Sequence, residues 1–184
     1  VSANTAEDAE VRRAVLWQAA ELYATTDDSA SARRAYAVYV ERFPTPVESA
    51  IEARQELADL AAAAGDAASR KHWLEELVVA ADAAGSERSR LLAARASLEL
   101  ARPLDQSVRS VRLAIPLDRS LAAKKSAMEA SLSAYARAAG YGVAEVTTAA
   151  DFAMADLYRD LARALLASER PPGRSVPQGV SGST

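Results

Sequence analysis

The stretch that decides the fold is residues 20–44, which read AELYATTDDSASARRAYAVYVERFP. Small residues, Ala20 and Ala32, stand where two helices would cross, and Tyr36 stands where the pair would close. Pro44 ends the segment, because a proline disfavours the α conformation of the residue before it. The pattern predicts two antiparallel helices joined by a short turn, which is a helical hairpin.

The first half of this hairpin recurs along the chain. Its opening residues, AELY at 20–23, return in similar form as ADLA at 58–61, ELA at 99–101 and ADLY at 155–158. One such hairpin cannot bury its apolar face alone, so recurring hairpins stack on one another. The sequence therefore predicts an α-solenoid whose task is to hold another protein.

Composition supports an all-α fold and limits the classes of partner. Half of the residues are hydrophobic but only 5% are aromatic, and alanine, the best helix former, supplies much of the apolar content. The net charge of −3 argues against a nucleic-acid binder, which would carry a basic face. The chain has no cysteine, so disulfides and thiolate chemistry are excluded, and no apolar run is long enough to insert into a membrane.

Local signals predict where helices begin and end. Asp28, Asp66 and Ser86 are predicted helix N-caps, and Gly65 and Gly85 are predicted terminators. Thr45 and Pro46 form the pattern of a capping box with proline at the first helical position. Pro103 is expected to halt the fifth helix, with a separate short helix over residues 105–113.

These signals divide the chain into three parts. Residues 1–103 are expected to form three irregular repeat hairpins. Residues 104–170 are expected to add a C-terminal helical extension, whose two longer helices cap the apolar end of the stack. Residues 171–184, rich in Pro, Gly and Ser without periodicity, are expected to be a disordered tail.

The hairpin resembles the tetratricopeptide repeat (TPR). With Pro44 as the closing proline, Ala20, Tyr23, Ala32 and Tyr36 fall on the motif's small, aromatic, small and aromatic positions. The equivalent acidic residues are 38 and 40 residues apart, against a repeat of about 34. The resemblance implies a TPR-like α-solenoid that acts as a non-enzymatic scaffold for protein–protein interaction.

Part of the likeness is to bacterial cell-envelope members of the TPR family. Residues 39–44, YVERFP, are similar to the repeat endings of outer-membrane assembly lipoproteins and of coordinators of the division machinery. The second half, including residues 141–148, YGVAEVTT, is similar to the C-terminal part of long envelope repeat proteins. The resemblance implies a periplasmic or envelope location, with a cytoplasmic one as the alternative.

In TPR proteins the first helix of each pair lines a concave groove, and the resemblance implies which residues would face it. The ninth position of that helix holds Glu21, Asp59, Glu99 and, if the last helix joins the stack, Asp156. These carboxylates would form an acidic ladder, which suits a protein or peptide segment with basic residues. The neighbouring groove positions hold Trp17, as an aromatic anchor, and Glu52, Gln55 and Arg95.

Other readings of these residues stay open. The carboxylates could be solvated charges on exposed helix faces, as most helical Asp and Glu are, and Trp17 could belong to the core. The chain could also be a structural, self-assembling segment of a larger machine. If the hairpin packs as expected, Tyr23→Ala and Leu57→Ala each cost about 2–5 kcal/mol. If Trp17 faces the groove, Trp17→Ala costs less stability than Tyr23→Ala.

The sequence contains no recognisable catalytic constellation, so we expect no enzyme, no cofactor and no metal site. His72 is the single histidine and has no second imidazole or thiolate to join it. Ser120 and Lys124 are one helical turn apart, which is not the spacing of a serine–lysine hydrolase. Residues 140–142, GYG, lack the third glycine and the preceding strand of a dinucleotide-binding loop.

Overall fold

A computed structural model of the chain describes residues 2–115 and 117–168. In these residues the fold is all-α, without a β-strand, and each helix packs antiparallel to the next. The seven helices are α1 (Ser2–Thr25), α2 (Ser29–Arg42), α3 (Val47–Ala63), α4 (Ala67–Ala84), α5 (Glu87–Ser110), α6 (Leu117–Gly140) and α7 (Ala144–Ser168). The predicted disordered tail, residues 171–184, lies outside the described residues.

Side-chain caps confirm three predicted helix starts. The Asp28 carboxylate accepts a hydrogen bond from the Ser31 amide at 3.1 Å, and the Asp66 carboxylate accepts one from the Ser69 amide at 3.0 Å. Hydrogen bonding by the Ser31 and Ser69 side chains, followed by these amide bonds, lowers the pKa of Asp28 and Asp66, since both favour the ionised form. The Ser86 hydroxyl oxygen caps α5 in the same way.

The predicted ends of α3 and α4 at glycine residues are confirmed. Gly85 is the C-cap of α4, with φ +67°, and Gly65 follows α3 with φ +71°. A side chain in this left-handed region is strained, which is why glycine is preferred there. The end of α2 at Arg42, just before Phe43 and Pro44, is confirmed as well.

Two predictions that rested on proline are wrong. The N-cap of α3 is Pro46, without a side-chain hydrogen bond, so Thr45 does not cap this helix. Pro103 does not halt α5, which continues without interruption to Ser110 and so includes residues 105–110 of the separate helix predicted over 105–113. Residues 111–113 are not helical. The expected boundary between residues 103 and 104 thus falls inside a helix.

The reason that α5 continues is tertiary packing. Ala101 and Val108, on either side of Pro103, are both buried, while Pro103 itself is exposed. The ring therefore faces solvent, and α5 keeps its contacts with α4 and α6 along its whole length. Packing of this kind offsets the loss of one backbone hydrogen bond at proline.

The core forms three clusters that follow one another along the array. The first joins α1, α2 and α3 around Tyr36, Tyr39 and Leu57. The second joins α3, α4 and α5, and the third joins α5, α6 and α7. Because α3 and α5 each belong to two clusters, no hairpin has a core of its own.

The helices are not equivalent in their neighbours. Besides its sequential partners α4 and α6, α5 also contacts α3 and α7. The even-numbered helices of the described chain make no such contacts with one another. The odd-numbered helices α3, α5 and α7 thus lie side by side on one face, which we call the odd-helix face.

A polar network joins α5 to α6. The Asp105 carboxylate accepts hydrogen bonds from the Ser131 hydroxyl at 2.7 Å and the Tyr135 hydroxyl at 2.8 Å. Burial and the bond to Asp105 raise the pKa of Tyr135 above its ordinary value. Lys124, only 5% exposed, donates to the carbonyl oxygens of Val108 at 2.9 Å and Val111 at 3.0 Å.

Trp17 is more deeply packed, and Tyr23 more exposed, than the sequence predicted. Tyr23 is 42% exposed, so its truncation removes little buried contact. Trp17 is partly buried and packs edge-to-face on Tyr36 and Tyr39, with ring centroids 5.5 and 5.2 Å apart. From this packing we expect the opposite order, with Trp17→Ala the more destabilising change.

The buried position of Leu57 gives a direct test of the packing. Leu57→Ala should lower the free energy of unfolding by about 2–5 kcal/mol, because it leaves a cavity at the junction of three helices. The matched control is Leu166→Ala on α7, where the side chain is exposed and the change should be about 0.5 kcal/mol or less. Urea unfolding followed by circular dichroism measures both, and equal losses would contradict this packing.

Lys124 gives a test of the connection between α5 and α6. Lys124→Ala should lower the free energy of unfolding by about 1–3 kcal/mol, because it leaves two carbonyl groups at the end of α5 unpaired. The neighbouring exposed residue provides the control, since Lys125→Ala should change stability by about 0.5 kcal/mol at most. Indistinguishable unfolding curves for the two variants would refute this role of Lys124.

Candidate functional site

All seven residues predicted to face the groove line one of two clefts. The first cleft, of about 390 Å³, lies between α1, α2 and α3 and includes Trp17, Glu21 and Glu52. The second, of about 440 Å³, lies between α3, α4, α5 and α7 and includes Gln55, Asp59, Arg95 and Glu99. We call them the α1 cleft and the α5 cleft.

The two clefts are connected through α3. Glu52 lines the α1 cleft, while Gln55 and Asp59 line the α5 cleft. These residues, with Glu56, are three, four and seven positions apart, so they share one side of the helix. One face of α3 therefore runs from the first cleft into the second.

Trp17 is held in place at the α1 cleft. Its indole N–H donates to the Glu21 carboxylate at 2.8 Å, one helical turn away. Its ring lies against Tyr36 and Tyr39 of the core, yet it still lines the cleft. Trp17 thus combines both roles considered for it, with one part of the ring in the packing and another at the surface.

Glu52 and Asp59 already have partners within the chain. Arg88 of α5 forms an ion pair with Glu52, its Nε donating at 2.6 Å. The Gln55 amide nitrogen lies 3.1 Å from each carboxylate oxygen of Asp59. These contacts hold the carboxylates along α3, although only the contact with Arg88 supplies an opposite charge.

The α5 cleft is of mixed charge. Glu99 forms ion pairs with Arg70, at 2.6 Å, and with Arg102. Arg95 forms an ion pair with Glu145 of α7, at 3.1 Å. The expectation of an unbroken acidic ladder is therefore wrong at Glu99, because two guanidinium groups flank its carboxylate.

Carboxylates of α1 and α3 form a cluster of negative charge around Glu56. Partial burial, followed by the carboxylates of Asp59, Glu21 and Glu52, raises the pKa of Glu56 above its ordinary value. Burial, followed by Glu56 and Glu21, also raises the pKa of Tyr36, to about 12. Four carboxylates of α1 and α3 thus lie close enough to influence one another.

Asp156, the conditional fourth position of the ladder, lies elsewhere. It belongs to α7 and forms an ion pair with Arg159, three residues further along the helix. It lines neither the α1 cleft nor the α5 cleft. The contribution of α7 to the α5 cleft comes instead from its first turns, through Glu145 and Val146.

Sequence reasoning missed most of the basic residues of this face. Arg95 was predicted to face the groove, whereas Arg70, Arg88 and Arg102 were not. The pairs Arg88–Glu52 and Arg70–Glu99 join residues 36 and 29 positions apart. No local sequence pattern links residues so far apart, so these pairs could not be predicted.

The residues considered for chemistry have structural surroundings. The Ser120 hydroxyl donates to the carbonyl oxygen of Ala114 in the loop before α6, whereas the Lys124 ammonium group is bonded to the end of α5. His72 is exposed and lies beside Trp73, with ring centroids 4.8 Å apart. Across residues 2–115 and 117–168, no three His, Asp or Glu side chains are grouped closely enough to hold a metal ion.

Two further observations complete the surface. A third cleft, of about 530 Å³, lies between α4, α5 and α6, has Val78, Val79 and Leu100 in its lining, and contains none of the predicted groove residues. Within the described part of the chain, no helix is long and apolar enough to cross a membrane.

Comparison of this chain with protein-family models, with curated proteins and with solved structures finds no match. The TPR family therefore stays a prediction from the residues quoted above.

The carboxylate cluster can be tested by titration. Asp59→Asn should lower the pKa of Glu56 toward its ordinary value, because it removes the strongest of the three repelling charges, while burial keeps part of the shift. Carboxyl-carbon NMR measures this pKa directly. Glu75→Gln, on α4, is the control and should leave it unchanged, and an unaltered Glu56 titration in Asp59→Asn would show that the cluster does not exist in solution.

Proposed function

We propose that this chain is a non-enzymatic protein-interaction scaffold, a TPR-like α-solenoid that binds a segment of a partner protein along the odd-helix face. The α1 cleft and the α5 cleft would be successive parts of one binding groove. The longer helices α6 and α7 would cap the C-terminal end of the repeat hairpins.

The observation that carries this proposal is the convergence of the predicted groove residues. These seven residues, from Trp17 to Glu99, were predicted to face a groove only from their places in the repeat. They line two clefts that share one side of α3. Charges scattered over unrelated helix faces would not fall into two adjoining clefts.

Lateral packing of the odd-numbered helices is a second support. In TPR arrays the first helices of successive hairpins lie next to one another along the groove, and α3, α5 and α7 contact one another in this order. Ion pairs between Glu52 and Arg88 and between Arg95 and Glu145 connect the same helices. The face has a defined arrangement before any partner binds, which reduces the entropy lost on binding.

The charges suggest the chemistry of the partner segment. Glu21 of the α1 cleft, with Glu56 and Asp59 on the adjoining side of α3, favours lysine or arginine side chains. Trp17 offers an aromatic surface for a cation or an apolar group. Deeper in the α5 cleft, Glu99 and Arg95 already form ion pairs within the chain. A segment with basic residues at one end and polar or mixed residues at the other fits this distribution.

One specificity known among TPR proteins does not fit. Repeats that bind the C-terminal carboxylate of chaperones use lysine and asparagine at fixed groove positions. Trp17, Glu21 and Glu56 occupy those positions in this chain. The negative charge of the two glutamates would repel a terminal carboxylate. We also propose that the chain meets its partner within a bacterial envelope assembly, which the sequence of residues 39–44 suggests.

The test uses peptides selected on the immobilised protein from a random display library. The selected peptides should be enriched in lysine and arginine, and their affinity should fall as the salt concentration rises. In the double variant Glu21→Lys/Asp59→Lys the affinity should fall by about tenfold or more, which isothermal titration calorimetry can measure.

The matched control is the double variant Glu41→Lys/Glu129→Lys, which changes the net charge equally. Both glutamates are exposed and line neither cleft, so binding should be preserved. Peptides that bind the two double variants equally well, with an affinity insensitive to salt, would show that the odd-helix face is not the binding site.

A further inference from the structure

A further cleft, of about 400 Å³, lies between α2, α3 and α4, and none of the predicted groove residues lines it. We call it the α2–α4 cleft. Its floor includes Leu57 and Ala61 of α3, which stand about half a turn around the helix axis from Gln55 and Asp59 of the α5 cleft. The α2–α4 cleft therefore opens on the side of the array opposite the odd-helix face.

Small side chains are the reason that this cleft exists. Helices α2 and α4 pack on either side of α3 but make no backbone contact with each other. Ala30 and Ala37 of α2, and Ala61 of α3, line the space between them, and their methyl groups are too short to fill it. The volume falls within the range of about 300–1,000 Å³ that is usual for ligand-binding clefts. The cleft is therefore large enough to receive an apolar side chain of a partner.

Trp73 of α4 forms one wall of the cleft and is held in a fixed position. Its ring is partly buried and packs against both the first and the second core cluster. An aromatic side chain that is already ordered contributes contact area at a low cost in entropy, and tryptophan often dominates the energy of an interface. Trp73, with Leu57 and the three alanines, thus offers an anchor site for an apolar side chain.

The charged residues that line the cleft are both arginines. Arg33 and Arg34 stand between Ala30 and Ala37 at spacings of three and four, so the four residues share one side of α2. Within the described chain neither arginine forms an ion pair. Each donates to an oxygen in the first turn of its own helix at 3.4 Å, which is long for a hydrogen bond. A carboxylate, which pairs with guanidinium groups more strongly, is the complement of this surface.

Two carboxylates near these arginines have another role. The capping hydrogen bonds, followed by the charges of Arg34 and Arg33, lower the pKa of Asp28 and Asp66. Both aspartates accept hydrogen bonds from amides of the helices that they cap, and neither lines the cleft. They offset part of the positive charge, but they leave guanidinium N–H groups available to a partner.

We propose that the α2–α4 cleft is a second protein-binding site, which takes a partner segment that carries an apolar side chain beside acidic residues. The apolar side chain lies against Trp73, and the carboxylates pair with Arg33 and Arg34. The inference does not depend on the proposed function of the odd-helix face. It concerns other residues, the opposite side of the array and a partner of opposite charge.

The concave shape of the site favours a peptide over a lipid surface. Leu57 and Ala61 are buried at the floor of the cleft, and Trp73 is only partly exposed. Binding at a membrane interface needs apolar side chains that project into the lipid. A side chain of a peptide can enter the cleft, whereas a bilayer would meet mainly the charged rim.

A selected peptide provides the probe for the first test. It is obtained on the immobilised wild-type protein from a display library of acidic, apolar and small polar residues. Arg33→Glu/Arg34→Glu should weaken its binding by about tenfold or more, as measured by isothermal titration calorimetry. The matched control, Arg112→Glu/Arg119→Glu, changes the net charge equally at two exposed positions outside the four clefts and should bind the peptide as the wild type does.

A single substitution tests the same site with little risk to the fold. Ala30→Asp adds a negative charge at the exposed rim of the cleft, in the first turn of α2, where an acidic residue is favourable for the helix. It should weaken the binding of the acidic peptide by about fivefold or more. Ala144→Asp, at an exposed position in the first turn of α7, is the control and should leave binding unchanged.

Fluorine NMR of protein labelled with fluorotryptophan locates the bound peptide. The chain has two tryptophans, Trp73 in the α2–α4 cleft and Trp17 in the α1 cleft, and Trp17→Phe assigns their signals. The acidic peptide should shift chiefly the Trp73 signal, whereas a basic peptide bound to the odd-helix face should shift chiefly the Trp17 signal. The failure of one proposal is therefore distinguishable from the failure of the other.

Four outcomes would overturn the inference. They are a library that yields no binding peptide, equal affinity of the peptide for the two double variants, and a larger shift at Trp17 than at Trp73. The fourth is binding of phosphatidylglycerol vesicles that is lost in Arg33→Glu/Arg34→Glu while peptide binding is retained, since the arginines would then serve a membrane contact.

Discussion

The close approach of helices at alanine is the constraint on which the rest of this structure depends. Alanines with no exposed surface stand at the crossings, among them Ala20, Ala32, Ala53, Ala61, Ala93 and Ala101. A methyl side chain lets neighbouring backbones come near each other, but it buries little area, so one hairpin gains little stability by itself. Stability comes from adding hairpins, and the three core clusters that share α3 and α5 are the result.

Sharing helices between clusters also shapes the surface. Because α5 packs on α3 and α7 as well as on its sequential neighbours, side chains far apart in the sequence face the same clefts. Exposed ion pairs such as Arg95–Glu145 contribute little to stability. Their effect is to place charges of known sign at fixed positions on the odd-helix face. The same packing leaves the outer side of α1 uncovered by the other described helices.

Much of the secondary structure and the general position of the candidate site could be predicted from sequence. The caps at Asp28, Asp66 and Ser86 act within one helical turn, and Gly65 and Gly85 meet a backbone requirement at a single residue. The spacing of equivalent residues between hairpins was enough to select side chains that line the two clefts. Such signals are local or periodic, and both kinds are visible in a single chain.

The sequence by itself determined that this protein is an array of antiparallel helices, because helix signals and repeated small residues act over short distances. The tertiary structure alone decided that α5 passes through Pro103, that Trp17 is packed while Tyr23 is exposed, and that Glu99 is flanked by two arginines. These outcomes depend on contacts between helices. Burial on one side of α5 offsets a local preference at proline, and charge pairing joins residues that no sequence period connects.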